Sequence, residues 1–425
     1  MKISRLMFHP LSPLTVVVVP VVLLAVVLAM PPAVYEFYMR EPDFAYMNWQ
    51  MAEFFLANIG LFIAGVCAGL LLLGVPKPAD AIKPLQDPLH IWIPLCIALG
   101  ISFYAEAILL MNNSWLWTAW LSPTKDFSFV RSELNTTGAL TEAGTLLAAI
   151  IQWTIWKTRS YERAHQVCLT NLRLALVFAI AILLLSALIK LARWELFPYL
   201  TAIAISLAGA SGSIENISFR KALPKILIGV AGLFIVFNAI AMIRGVVAIG
   251  DLIESTMGYT VASFNRLSLM LSGSLNYPYG GSGIYAFRFL ANVPILGWFV
   301  DVSRLFLIPD AYLAWLSEFD AVAMSGLSSY YIWATAFGYV FIDLGNWVFL
   351  YFFLFGVLSA WGWREFWQGK TLGITLYPYI VFCIAFMVGD NFIAYRGIVT
   401  LVMVSLALVA YERFFCAESG RPGIR

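Results

Sequence analysis

The run MAEFFLANIGLFIAGVCAGLLLLG, residues 51–74, carries one charge, Glu53, near its start and none after it. A helix needs roughly 20 predominantly apolar residues to cross the hydrocarbon core of a bilayer, so this segment is of spanning length. Similar runs recur at 13–33, 89–111, 139–156, 172–190, 197–212, 223–243, 342–362, 371–389 and 397–412. Composition agrees: 61% of the 425 residues are hydrophobic, 12% are charged, and the mean hydropathy is +0.85. A soluble domain carries about twice that charge. The expected fold is therefore an all-α polytopic membrane protein with about ten transmembrane helices. A net charge of +2, with no basic stripe, argues against a nucleic-acid partner.

An even number of spans puts both termini on one side. If that side is cytoplasmic, the inner segments hold 16 of the 26 basic residues, among them Lys2, Lys77, Lys83, Arg159, Arg163, Arg220, Lys221 and Arg413. This is the positive-inside bias of short loops. No cysteine pair falls on the outer side, so stability must come from helix packing and lipid contact.

Most connections are short, but 244–328 forms one long outer segment rich in Phe, Trp, Tyr and Leu. Loops of this length are usually functional or disordered, and the aromatic content argues for order. Three linear regions follow: a membrane bundle at 1–243, a periplasmic loop domain at 244–328 and a second bundle at 329–425. Within the loop, Met257, Val261, Phe264, Leu267 and Leu271 recur at helical spacing, which predicts an amphipathic helix on the outer surface. The stretch Asn276-Tyr277-Pro278-Tyr279-Gly280-Gly281-Ser282-Gly283 predicts tight turns.

The ten outer cations are eight Arg and two Lys, whereas the inner side has nine Arg and seven Lys. Arg presents a planar fork that grips phosphate bidentately, so the bias suits a diphosphate held at the membrane boundary. The three histidines all fall on the inner side or its edge, and no Walker, dinucleotide, zincin or Cys/His zinc pattern occurs. No metal and no cofactor is expected. The outer proton acceptors are carboxylates, including Glu133, Glu318, Asp343 and Asp390. Asp343 and Asp390 each end an otherwise apolar span, where an ionisable group is a candidate for function.

The runs Tyr259-Thr260-Val261-Ala262-Ser263-Phe264-Asn265-Arg266, Tyr277-Pro278-Tyr279-Gly280-Gly281-Ser282-Gly283-Ile284-Tyr285-Ala286-Phe287-Arg288, Ser329-Tyr330-Tyr331-Ile332-Trp333-Ala334-Thr335 and Phe341-Ile342-Asp343-Leu344-Gly345 resemble the Wzy-type oligosaccharide repeat-unit polymerases of bacteria. The resemblance covers about 259–346 and rests on topology elsewhere. It implies an inner-membrane C-type glycosyltransferase that transfers a growing glycan from undecaprenyl diphosphate to the next lipid-linked repeat unit at the periplasmic face. Donor and acceptor oligosaccharides and membrane lipid would be its partners, with a chain-length regulator and a flippase of the same pathway. By position, Arg131, Arg266 and Arg288 correspond to its diphosphate-binding arginines, and Arg396, in the short outer hairpin at 390–396, is a further candidate for binding diphosphate. The family's pattern of an outer-loop Arg followed ten residues later by Gly is absent around Arg131, Arg266 and Arg288.

Such a reaction needs cations for the leaving diphosphate and a base for the acceptor hydroxyl. Asp343 is the first candidate base and Glu133 the second, while Tyr277, Tyr279 and Tyr285 are candidates for stacking on sugar. The competing readings are a polysaccharide ligase, which would be expected to use a loop His, and a lipid-linked oligosaccharide flippase, which would be expected to show internal repeats.

Overall fold

The computed structural model describes Met7, residues 9–42, 48–74, 87–115, 142–189 and 193–210, Ile235, residues 249–291, Val293, Leu307 and residues 309–395 and 397–416. These are helical and turn structure with no strand. In chain order the helices are α1 (Pro13–Ala29), α2 (Pro32–Met39), α3 (Trp49–Leu73), α4 (Leu89–Asn112), α5 (Ala143–His165), α6 (Thr170–Ile189), α7 (Arg193–Ala210), α8 (Ile249–Thr260), α9 (Ala262–Leu271), α10 (Ala311–Met324), α11 (Thr335–Leu344), α12 (Val348–Trp367), α13 (Thr371–Ala385) and α14 (Gly397–Cys416).

Four helical stretches are long and apolar enough to cross a membrane: α3, α4, the continuous Thr335–Trp367 stretch formed by α11 and α12, and α14. A fifth is added if α1 and α2, bent by 98° at their junction, count as one broken span. Their open faces are apolar, as Val18, Val22 and Val26 on α1, Leu71 and Leu72 on α3, Ile97 and Phe103 on α4, and Leu350 and Leu354 on α12 show. Soluble proteins rarely expose such extensive apolar surface, whereas hydrocarbon accepts it. The chain is a helical membrane protein. Of the other expected spans, α6, α7 and α13 contribute shorter apolar helices, and 223–243 lies outside the described residues except for Ile235.

The chain groups into two units, each assembled from three chain segments. Unit 1 is Met1–Val75, Val246–Trp361 and Cys383–Val399; unit 2 is Pro76–Gly245, Gly362–Phe382 and Thr400–Arg425. In unit 2, α5 packs against α4, α6 and α7. Its Lys157 is buried and pairs with Glu412 at 2.8 Å, and Thr371 donates to the same carboxylate at 2.7 Å.

In unit 1, α3 and α12 meet through small residues. A β-carbon on Gly65 would strike the carbonyl of Phe353, one on Gly356 would strike that of Phe62, and one on Gly69 would lie 2.7 Å from the Ala360 β-carbon. This is the small-xxx-small packing by which membrane helices approach closely. Beside it, Phe55 contacts Phe264 and Phe337 with ring centroids 5.2 and 4.7 Å apart.

The segment expected to lie on the surface is instead part of this core. Helix α9 is buried from Ala262 through Met270 on every face, packing against α3 and α11. The apolar spacing over 257–271 marks a helix, but Arg266, on what would be its polar face, is itself fully buried because a carboxylate from α2's far end neutralises it.

Candidate functional site

That neutralisation is complete. The Arg266 guanidinium binds both Glu41 oxygens, with Nη1 donating at 2.8 Å, while Nε donates to the Tyr331 carbonyl at 2.8 Å and Nη2 to that of Ser328 at 3.1 Å. Tyr35 donates its hydroxyl to Glu41 and accepts from Asn265 at 3.1 Å. Every nitrogen of Arg266 is engaged, with none of its side chain exposed. Arg266 is therefore an internal tie between the Glu41 segment, α9 and the 328–331 turn, and it offers no donor to a ligand in this arrangement.

Arg288, Asp343 and Tyr285 meet around the glycine-rich turn. Gly281 and Gly283 both have φ +82°, which lets the chain double back at little steric cost. The Asp343 carboxylate, at the end of α11, gathers this turn: Oδ2 accepts from the amides of Tyr285 and Ala286 at 2.6 and 2.7 Å, and Oδ1 from Gly281 at 3.2 Å. Asn391 donates to the Tyr285 carbonyl at 3.0 Å and Tyr351 to that of Ala286 at 3.3 Å. Tyr277 anchors the other end through the Ile332 carbonyl. Asp343 thus acts as a clamp whose lone pairs are largely committed to backbone amides. Tyr277 and Tyr285 are buried in a stack with Tyr339, ring centroids 5.5 to 5.8 Å apart. Of the three candidate sugar-stacking tyrosines, Tyr279 alone keeps appreciable open surface.

Arg288 begins a 3-10 turn directly after this clamped loop. Its Nη2 donates to Glu318 Oε1 at 3.1 Å, its guanidinium lies over Tyr395 at 5.4 Å from the ring centroid, and its buried Nε has no hydrogen-bond partner among the described residues. The Arg288 side chain is 14% exposed, against 1% for Glu318. Tyr339 donates to Glu318 Oε2 at 3.0 Å. Asp390 accepts from Tyr395 and, at 2.6 Å, from the Asn391 amide, and it lies within electrostatic reach of both Arg288 and Glu318.

Among the described residues, two carboxylates therefore share one guanidinium. Burial pushes the Glu318 carboxyl up to about 8; Arg288 opposes that rise and Asp390 adds to it. Burial also raises Asp390, against the pull of Arg288 and the Tyr395 hydrogen bond. Groups perturbed in this way are characteristic of functional clusters. Chemically, the cluster offers a guanidinium suited to an anion and carboxylates that can hold or accept a proton.

Arg131, Glu133 and Arg396 lie outside the described residues. Among the described residues no His, Cys, Asp and Glu cluster is arranged to hold a metal ion. Glu318 was one of many outer carboxylates in the sequence, and neither its pairing with Arg288 nor the parts of Tyr339 and Tyr395 were read from it. The available signal was Glu318 itself, a charge in register with Ala314, Ala321 and Val322 on the apolar face of α10. No known family model, no curated protein and no solved structure matches the chain.

Proposed function

We propose that the protein polymerises undecaprenyl-diphosphate-linked oligosaccharide repeat units, as a C-type glycosyltransferase of the bacterial inner membrane. In this reading it has about ten spans, both termini are cytoplasmic, and the Arg288 pocket faces the periplasm. The observation that carries the reading is Arg288: a guanidinium on a loop clamped from three elements, with one nitrogen on Glu318 and a buried nitrogen that has no partner among the described residues. A diphosphate leaving group needs such a preorganised donor.

The reaction then runs as follows. The acceptor hydroxyl oxygen bonds to the anomeric carbon of the donor glycan as the carbon–oxygen bond to diphosphate breaks. The electron pair leaves on the phosphate, which Arg288 stabilises, and the hydroxyl proton passes to a carboxylate. Glycosyl transfer passes through an oxocarbenium-like state, and the Asp390 carboxylate with its tyrosine neighbours suits that positive charge. Asp343 accepts from three backbone amides and Asp390 from one amide and one tyrosine hydroxyl, so the base role falls to Asp390, the less committed of the two, in this reading. The chain-length regulator and the flippase remain its pathway partners.

The test is polymerisation of purified lipid-linked repeat units by the full chain. Arg288→Lys, which removes the planar fork, and Asp390→Asn should each lose roughly 100-fold or more while folded protein accumulates. Polymerisation within about tenfold of wild type in both variants, under about 1.4 kcal/mol in the barrier, would reject the site.

A further inference from the structure

The Arg288 pocket has a charge imbalance that a simple phosphate cradle would not show. Among the described residues, Glu318 and Asp390 face one guanidinium, so a diphosphate arriving there would meet two carboxylates as well as its counter-ion. Burying several like charges together is strongly unfavourable. Glu318 also sits on Arg288 Nη2, one of the donors that a bidentate phosphate contact would need. We infer that Glu318, when ionised, is an internal stand-in for the substrate's phosphate: an incoming anion displaces it from Arg288 and the displaced carboxylate takes a proton, so that in this form anion binding and protonation of Glu318 are one coupled event. This inference rests on the reading of Arg288 as the diphosphate site.

The surroundings of Glu318 make protonation the expected answer to losing its cation. It is 1% exposed, so water cannot solvate a released charge. The groups facing it are Arg288 on the turn after the glycine loop, Tyr277 and Tyr285 within that loop, Tyr339 on α11, and Asp390 and Tyr395 in the connection between α13 and α14. Arg288 is the one cation among them; Tyr339 supplies a hydrogen bond and Asp390 adds repulsion. Once the guanidinium turns to phosphate, nothing in this set holds a bare carboxylate. A neutral Glu318 can still hydrogen-bond with Tyr339, so it can remain where it is. Arg288 needs little movement, because its uncommitted Nε already shares the guanidinium plane.

Linkage gives the sign. An ionised Glu318 competes for Arg288 and a protonated one does not, so affinity for an anion falls as pH rises through the Glu318 value of about 8. The experiment is titration of inorganic pyrophosphate into the full chain in detergent at pH 7 and pH 9, for wild type, Glu318→Gln and Arg288→Lys. Expressing each affinity relative to Glu318→Gln at the same pH removes the ligand's own titration. Relative to that variant, wild type should weaken by about tenfold between the two pH values, and wild type at pH 9 should take up close to one more proton per pyrophosphate than the variant.

Parallel pH dependence in wild type and Glu318→Gln overturns the exchange while leaving the anion site in place. Pyrophosphate binding that is absent from wild type, or undiminished by Arg288→Lys, overturns the anion site and the exchange with it. If Glu318→Gln does not fold, Asp390→Asn serves in its place. Removing the neighbouring carboxylate should move the loss of affinity to lower pH, and an unmoved transition overturns the inference.

Discussion

Two arginines on neighbouring stretches of one loop have opposite fates, and their partners decide which. Arg266 is closed off by Glu41 and two backbone carbonyls, whereas Arg288 has a nitrogen without a partner among the described residues. Breaking a buried pair by removing one partner costs about 3–5 kcal/mol, while replacing both by apolar groups of similar volume is often neutral. Glu41→Gln and Arg266→Met should therefore each lower the thermal midpoint in detergent, and Glu41→Leu with Arg266→Met should recover most of the loss. A double variant as unstable as the sum of the singles would refute this account. Glu318 gives a second test. Its carboxyl is raised from 4.5 to about 8, so the folded state binds more protons than the unfolded state between those values. The resulting stability is full below about 4.5 and lost as pH rises through 8, at up to about 1.4 kcal/mol per pH unit. The wild-type midpoint should fall by several degrees between pH 5 and pH 8 relative to that of Glu318→Gln, at about 2 °C per kcal/mol. Parallel midpoints would show that Glu318 does not titrate in this window.

At the scale of single helices, α3, α4 and α14 were legible because long runs with only one or two charges, Glu53, Glu106 and the Glu412-Arg413 pair, have few alternatives to spanning. Helix α5 was legible only in part: its buried stretch includes Lys157, whose partner Glu412 lies 255 residues away. The period through Phe264 identified α9 as helical but not its burial, since the partner of Arg266 is also remote. The glycine turn and Asp343 were visible as local chemistry. The role of Glu318 was not, because Arg288 reaches it across 30 residues. The α3–α12 contact supplies an element-level prediction. Gly65→Leu drives a side chain into the Phe353 backbone and should cost at least the roughly 1–3 kcal/mol typical of overpacking. Gly60→Ala, on the same helix with nothing within 4 Å, should be neutral or gain up to about 1 kcal/mol. Equal losses of folded protein in the two variants would count against close α3–α12 packing.

For the whole molecule, sidedness is the property on which the proposed chemistry depends. Ser272, exposed just beyond α9, is a suitable reporter of the segment placed in the periplasm. In a variant freed of its native cysteines, Ser272→Cys should react with an impermeant maleimide in intact spheroplasts. Labelling only after lysis would reverse the topology and move the Arg288 pocket to the cytoplasmic face.

The tie between Glu41 and Arg266 also bears on how the chain comes to be made. Their separation is 225 residues, and synthesis advances at about 5–20 residues per second, so Glu41 is inserted on the order of ten to forty seconds before its counter-ion exists. Until then the acid beside α2 has no counter-ion, so the tie that joins it to α9 can close only after translation has passed Arg266.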